Sequence, residues 1–367
     1  MLTIDGAEGG GQILRTAVAL AALARVPIRV VNIRAPRSKP GLQPQHLLAI
    51  RAVAELSGGA LTGDKVGSMQ IEFLPGAPDF QRAKTEWTLD VGTAGGLTLL
   101  LQSLLPCLAL GARQPSRLLL RGGTNNPWAP PVEYMQRVLL PALARLGVEA
   151  EMKLLKRGFY PMGGGEIELN VSPVGSLRPF RRAQRGSLAG ITGLSYAWRL
   201  PTHVVQRMAQ SATTRLSRAG YADVRIDRDT ETPAGGEGCG IILFAEFHQG
   251  APSKVEGRDE LARTGVVLGA DALGEPRKRA EAVGNEAAQA LIEEIESGAP
   301  VDMHLADQLV VWAALADGTS EYVASRPTDH LRSAVAVANQ ILGAGFRIEG
   351  DGPTHIICSG VGLKRRA

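Results

Sequence analysis

The chain has 367 residues, of which 44% are hydrophobic, 21% charged and only 4% aromatic, with a net charge of +4. Such a chain can bury one large core or two modest ones, which excludes a disulfide-stapled miniprotein and a disordered tail. Its 44 glycines follow no G-X-Y period, so collagen is excluded, and tight turns with close backbone approaches are expected instead.

Read by period, the elements fall into a recurring order. A strand at Leu2 to Ile4 meets a Gly-rich turn, an apolar helix from about Gln12 to Ala24 and a strand at Ile28 to Ile33. A loop with Pro36, Pro40 and Pro44 leads to a helix at Gln45 to Ser57 and a hairpin ending in Met69 to Phe73. The second copy runs through strand Trp87 to Asp90, helix Leu97 to Leu110, strand Arg117 to Arg121, loop Pro127 to Pro131 and helix Val132 to Leu146. It closes with Glu149 to Leu155 against Glu166 to Val171. Next comes a stretch of different texture, opened by Arg181, Arg182 and Arg185. It contains strand Ile191 to Trp198, helix His203 to Arg218, strands Val224 to Arg228 and Gly240 to Phe247, and a polar helix Arg277 to Ser297. The third copy reads helix Leu305 to Leu315, strand Glu321 to Ser325, helix His330 to Leu342 and strands Phe346 to Glu349 and His355 to Cys358.

This order predicts an α/β (α+β) fold: three repeated units with helices packed inward, and an inserted smaller α+β domain. The expected boundaries are 1–183 for repeats one and two, 184–298 for the insertion and 299–367 for repeat three. The uncharged stretch Ala94 to Ala112 carries Thr98, Gln102, Ser103 and Pro106, and reads as a buried helix, not a membrane span. Cys107, Cys239 and Cys358 are odd in number and far apart, so neither a disulfide framework nor a zinc cluster is expected, in keeping with a reducing cytoplasm. No basic segment precedes an apolar one at the N-terminus, so no signal peptide is read there. The basic residues are 32 Arg and 8 Lys, a bias that fits bidentate phosphate binding and equally a GC-rich genome.

Four strings carry candidate chemistry. Glu8-Gly9-Gly10-Gly11-Gln12-Ile13-Leu14-Arg15 is a strand-to-helix turn whose backbone N–H groups can meet an anion, or whose Glu8 can complete the helix start. It lacks the G-K-[ST] of a Walker loop. Arg34, Arg37, Lys39, Gln45 and His46 lie on a loop stiffened by three prolines, either a rigid basic platform for RNA or DNA phosphates or a solvated loop. Arg157 to Glu166, RGFYPMGGGE, reads as the turn of the second hairpin. In the third unit His304, Asp307 and Gln308 share one helical face, too few ligands for a zinc site. His330 stands in the first turn of the last helix, capped by Asp329 or Thr328. There the helix dipole favours the neutral ring that a nucleophile needs, although a histidine in a capping turn can also be purely structural.

Together DGAEGGGQILR, IRAPRSKPGLQPQHL, GTAGGLTLLLQ, RGGTNNPWAPP, RGFYPMGGGEI, HLADQL and DHLRSAVAVANQIL resemble the RNA 3'-terminal phosphate cyclase family over essentially the whole chain. The resemblance implies repeated βαβαββ-type units like those of enolpyruvyl transferases, with an inserted domain of thioredoxin-like topology. It implies ATP-dependent conversion of an RNA 3'-phosphate to a 2',3'-cyclic phosphate, with release of AMP and pyrophosphate. His330 matches the histidine that takes AMP from ATP, and Glu8 the carboxylate that binds Mg²⁺ or Mn²⁺. Arg15, Arg34, Arg37, Gln45 and His46 match positions facing the phosphates or the RNA end. Gln102, Pro131, Asp307 and Gln308 match the nucleotide pocket. His304 departs from the pattern, standing where many relatives stack an aromatic ring on adenine. Two rivals remain: a non-catalytic cyclase-like factor for ribosomal RNA processing, which would lack the nucleophilic histidine, and a small-molecule enolpyruvyl transferase. An RNA partner and no membrane are expected, and the sequence leaves the oligomeric state open.

Overall fold

The computed structural model describes residues 1–8, 10–76, 84–248 and 265–364, so Gly9 of the first glycine turn lies outside the described residues. The architecture is mixed α/β, with four four-stranded sheets among those residues. In the first sheet β1 (Leu2–Asp5) runs parallel to β2 (Ile28–Val31), which pairs antiparallel with β4 (Ile71–Leu74), itself antiparallel to β3 (Ala60–Thr62). The second sheet has the same pattern: β5 (Glu86–Asp90) parallel to β6 (Ser116–Gly122), then β8 (Gly165–Ser172), then β7 (Glu149–Lys156).

The third sheet follows suit with β9 (Arg181–Arg182) parallel to β14 (Thr319–Ala324), then β16 (Thr354–Ser359) and β15 (Gly345–Glu349) antiparallel in turn. Sequence reading missed β9, since two consecutive arginines carry no apolar alternation. They pair with Glu321 and Tyr322, and Val301 then bridges Ala324 along the same edge of β14. One edge of that sheet is therefore shared by chain segments on either side of the fourth sheet.

The fourth sheet orders β11 (Val224–Asp229), β10 (Leu188–Trp198), β12 (Gly238–Phe247) and β13 (Val266–Leu273). Strand β13, which sequence reading also missed, follows the segment outside the described residues. Strand β12 shows how period two divides a buried strand between two cores. Ile241, Leu243, Ala245 and Phe247 join a cluster with helices α5 (His203–Arg218) and α6 (Ala280–Glu296), while Ile242 and Phe244 face the main core.

The main core is helical at its centre. Helix α1 (Gly11–Ala24) is buried from Ile13 to Leu23 and touches α2 (Pro44–Ser57), α3 (Leu97–Gly111) and α8 (Asp329–Leu342). Small residues, five of them Ala between positions 17 and 24, let these neighbours approach on every side. The run 132–146, α4, contains a π-helical stretch at Met135–Leu139. Helix α7 (Met303–Leu315) completes the set. Among the described residues no helix is long and apolar enough to cross a membrane, and the three cysteines are free thiols.

Candidate active site

Helix α1 begins at Gly11 with Gly10 as its N-cap, and no side chain caps it. Glu8, exposed in the preceding turn, therefore does not make the cap that one sequence reading offered. The first-turn N–H groups stay open to a ligand, at the positive end of the helix. The glycines make room there. A Cβ on Gly10 would sit 3.3 Å from Nη2 of Arg37, and one on Gly11 would sit 2.3 Å from Nε2 of His46 and 2.9 Å from Nη1 of Arg15. Three of the expected phosphate-facing residues thus converge on two residues of backbone.

Arg15 and Arg34 are each held by their own anchor. Arg15 is buried and its Nε donates to Oε1 of Gln102 at 2.9 Å. Burial and then the nearby Arg34 lower its pKa to about 10, so it remains charged at neutral pH. Arg34 is fixed by Nη1 donating to the carbonyls of Lys39 (2.6 Å) and Gly41 (3.0 Å), and its pKa is lowered by burial and by Arg37. Among the described residues none of the three arginines pairs with a carboxylate. Three neighbouring guanidiniums without acidic partners among the described residues are suited to an anion.

His46 sits at the start of α2. The Gln43 N–H donates to its Nδ1 at 3.2 Å, which leaves the proton of the neutral ring on Nε2, facing Gly11. Burial, then Arg15 and Arg34, push its pKa down to about 3, so at neutral pH it is a neutral donor. Gln45 is turned differently: its Oε1 accepts from the N–H of Gly96 at 2.8 Å, tying the first unit to the start of α3.

His330 is exposed in the first turn of α8. Thr328, not Asp329, is the cap, accepting from the Leu331 N–H at 2.9 Å. The Gln12 side chain donates to the His330 carbonyl at 3.3 Å, which ties the last helix to the first. The His330 pKa is lowered by partial burial and by the charges of Arg15 and Arg37, so the imidazole is held neutral beside the cation cluster.

Gln102, Asp307 and Gln308 line one narrow cleft, of about 30 Å³, with Gln12, Thr16 and Trp312. The Thr328 hydroxyl that caps α8 also donates to Oδ1 of Asp307, and burial raises the Asp307 pKa to about 7. Gln308 donates to the His304 carbonyl at 3.3 Å, and its buried Oε1 has no protein partner among the described residues. His304 is exposed and meets the Tyr134 ring edge-on at 6.4 Å between centroids. Pro131 caps the N-terminus of the helix that carries Tyr134. Asp302 aligns these parts: fully buried, it accepts from Tyr134 Oη (2.5 Å), the Leu305 N–H (2.8 Å) and the Gly269 N–H (3.1 Å).

Sequence reasoning passed over Gln12, Gln43 and Asp302. Only Asp302 carried a signal, as an Asp placed three residues before Leu305 at a helix start. The arginine that opens the glycine signature lies apart from this cluster. Arg157, 2% exposed, pairs with Glu133 at 2.6 Å and Asp229 at 3.1 Å and lies 4.0 Å over the Tyr196 ring, joining the second sheet to the fourth. The arginines of the 181–185 stretch are also structural. Arg182 is buried, and Arg185 donates to the carbonyls of Glu294 (3.4 Å), Ile295 and Ala299 (3.5 Å).

A cation cluster at an uncapped helix N-terminus, with an imidazole and a polar cleft beside it, is the class of site that suits an anionic ligand. Comparison with known proteins narrows the class. Residues 6–348 match the family model described as RNA 3'-terminal phosphate cyclase, and the chain belongs to that family. Proteins named RNA 3'-terminal phosphate cyclase from Caldivirga maquilingensis and Pyrobaculum neutrophilum are 42% and 41% identical to it. The first match covers 94% of this chain and 93% of the relative, the second 98% of each. One of that name from Pyrococcus abyssi is 40% identical over 96% of both chains. The enolpyruvyl transferase NikO of Streptomyces tendae aligns with 99% of this chain and 49% of its own at 13% identity and a TM-score of 0.39, which carries no argument here.

Proposed function

We propose that this enzyme uses ATP to convert an RNA 3'-terminal phosphate to a 2',3'-cyclic phosphodiester through a covalent His330–AMP. The observation that carries the reading is the placement of His330 in the first turn of α8 beside Arg15 and Arg37, whose charges, after partial burial, lower its pKa and favour the neutral imidazole. An unprotonated ring nitrogen can attack the α-phosphorus of ATP, and pyrophosphate leaves. AMP then passes from His330 to the RNA 3'-phosphate, giving an RNA-(3')pp(5')A anhydride. The neighbouring 2'-hydroxyl attacks the activated phosphorus and AMP departs. Ribose holds that nucleophile within reach, so proximity supplies much of the rate.

The residues divide accordingly. Arg15, Arg34, Arg37 and the Nε2–H of His46 stabilise phosphate charge in all three steps. Gln102, Asp307 and Gln308 hold base and sugar at their cleft, and His304 and Pro131, which do not line it, complete the nucleotide site from beside it. Gln45 acts by fixing the cradle against α3. Glu8 fits a divalent ion: it is an exposed carboxylate without a protein partner among the described residues, next to the phosphate cradle. Mg²⁺ or Mn²⁺ needs few protein oxygens when phosphates and water supply the rest. Bound there, the ion would neutralise triphosphate charge.

The repeat and insertion reading belongs to the same proposal: three βαβαββ-type units, with 184–298 as an inserted thioredoxin-like domain. The shared strand order of three sheets and the separate cluster around α5 and α6 support it. Free thiols are compatible with a reducing cytoplasm. Incubation with α-labelled ATP and Mg²⁺, followed by denaturation, tests the mechanism. Label should stay on the protein, be released by acid as a phosphoramidate requires, vanish in His330→Ala and weaken in His304→Ala. Label retained in His330→Ala would overturn the assignment.

A further inference from the structure

Among the described residues three large side chains stand out on the surface. Trp128 is 98% exposed, Met162 71% and Tyr160 64%, in a chain where aromatic residues are scarce and mostly internal. An exposed tryptophan exchanges no apolar surface with the rest of the fold, so its cost needs a reason outside the monomer. The backbone adds to that cost. Trp128 has φ of 60°, a left-handed conformation that a bulky L-residue rarely adopts.

The strain is maintained by a rigid loop. Pro127, Pro130 and Pro131 surround Trp128, the Ala129 N–H donates to the Asn126 carbonyl at 3.3 Å, and the Asn126 side chain donates to the Ala94 carbonyl. The Tyr160 loop is tied to the same point. Phe159 forms a bridge with Asn125, and the Tyr160 N–H donates to the Asn125 carbonyl at 3.3 Å. Two separate loops thus hold their exposed rings from one shared anchor.

The anchor adjoins the phosphate cradle. His46 of the cradle is followed back along the chain by Gln45, which accepts from the Gly96 N–H. A Cβ on Gly96 would touch Cβ of Ala129 at 3.4 Å, one residue from Trp128. On the far side Met162 lines a polar groove with Asp90, Thr93, Lys156 and the Arg121–Glu166 ion pair, whose charges balance. The rings thus stand between the cations, linked to them through Gln45 and Gly96, and a polar groove that includes Lys156. A strand of nucleic acid with its terminal phosphate in the cradle can use that arrangement: charge for the end, faces for the bases, and polar groups with Lys156 beyond them.

We infer that Trp128 and Tyr160, with Met162 beside them, are a stacking platform for the unpaired nucleotides just upstream of the RNA 3'-phosphate, so that single-stranded ends are preferred over base-paired ones. The inference rests on the cyclase reading above. It assigns the patch to nucleobases, because the patch continues the anion site and ends in a groove containing Lys156.

The test is steady-state cyclisation of a short 3'-phosphorylated RNA, with and without abasic sites at the two nucleotides preceding the end. The proteins are the wild type, Trp128→Ala, Trp128→Phe and Tyr160→Ala, with His–AMP formation measured alongside. Stacking on one ring predicts a rise in KM for RNA of roughly tenfold in Trp128→Ala. The AMP adduct should be unchanged, and Trp128→Phe should recover most of the affinity. Abasic RNA should lose a similar factor with the wild type and little more with Trp128→Ala, since the two changes remove the same contact. An unchanged KM in Trp128→Ala and Tyr160→Ala overturns the platform, as does an equal loss for intact and abasic RNA. An unchanged KM with an altered solution mass would assign the patch to a second protein copy instead. A wild type that forms neither adduct nor cyclic phosphate defeats the cyclase reading, whereas intact cyclisation with insensitive variants defeats only the platform.

Discussion

Gly11→Ala is the sharpest probe of the phosphate cradle. The added Cβ would lie 2.3 Å from Nε2 of His46, against a floor of about 3.0 Å for such contacts, so the imidazole must retreat by at least 3.0 − 2.3 = 0.7 Å. It has little freedom to do so, being buried and held through Nδ1 by the Gln43 N–H. Arg15 must also give way from 2.9 Å, and its Nε is tied to Gln102. Backbone strain plays no part, because Gly11 is not among the residues with positive φ. Overpacking of this kind costs about 1–3 kcal/mol, which for a chain of this length is a fall in Tm of roughly 1–4 °C. A displaced donor also misaims the cradle, and errors near 1 Å lower rates by about a hundredfold. Thermal unfolding and AMP-adduct rates should be measured for Gly11→Ala, His46→Ala and the double variant. With the imidazole gone, the penalty of the alanine should shrink to a few tenths of a kcal/mol. A penalty of the same size in both backgrounds, or none in the single variant, would refute the steric argument.

Arg157→Ala leaves Glu133 and Asp229 without their cation and should lower the unfolding free energy by about 3–5 kcal/mol in urea titration; a loss under about 1 kcal/mol would deny the ion pair its role. For Asp307, raised to about 7 in the fold, the native state binds the extra proton between about pH 4 and 7. Its contribution to stability is therefore full below the unfolded pKa and declines as pH rises to about 7. His46, lowered to about 3, acts with the opposite sign between about pH 3 and 6.5, so the clean measurement is the wild-type stability curve minus that of Asp307→Asn, which should fall across pH 4 to 7 and not rise. Arg37→Ala should flatten the salt dependence of RNA cyclisation by about one phosphate contact, a change near 0.7 in log–log slope, while adduct formation persists at a reduced level; identical slopes would remove Arg37 from the RNA phosphate.

Much of the helical content was legible because apolar spacing is local: the reading from Gln12 to Ala24 differs from α1 by one residue, and that from Leu97 to Leu110 from α3 by one. Strands β9 and β13 were not. Two arginines can form an edge strand only because β14 offers a partner, and β13 alternates too weakly to stand out beside small residues. The site divides in the same way. The residue types in the glycine turn and the Pro-rich loop are visible in the sequence, but the contacts Arg15 to Gln102 and Gln12 to His330 span 87 and 318 positions and leave no periodic trace. Arg157 shows the limit most clearly. A hairpin turn is legible in its glycines, while the burial of its arginine depends on Asp229, 72 residues away, and on Glu133 from another helix.

The edge of β14 has a consequence for how this chain could be cut and rejoined. Arg181 and Arg182 lie beside Glu321 and Tyr322, and Val301 takes the place beside Ala324, all in parallel register. A continuous strand would need a single residue, opposite position 323, to connect 182 with 301. Everything between those points is an excursion that departs from and returns to neighbouring rungs of one ladder. Deleting it would leave the third sheet's hydrogen-bonding register intact and still deliver Asp302 to cap α7. Such surgery would also have to re-cover the core face that Ile242 and Phe244 fill and to neutralise the ties across it, Arg157 to Asp229, Arg137 to Glu246 and Asp302 to Gly269. Gene fusion or loss at this point is therefore topologically silent, and a shortened relative could keep the helical core while abandoning whatever the excursion contributes.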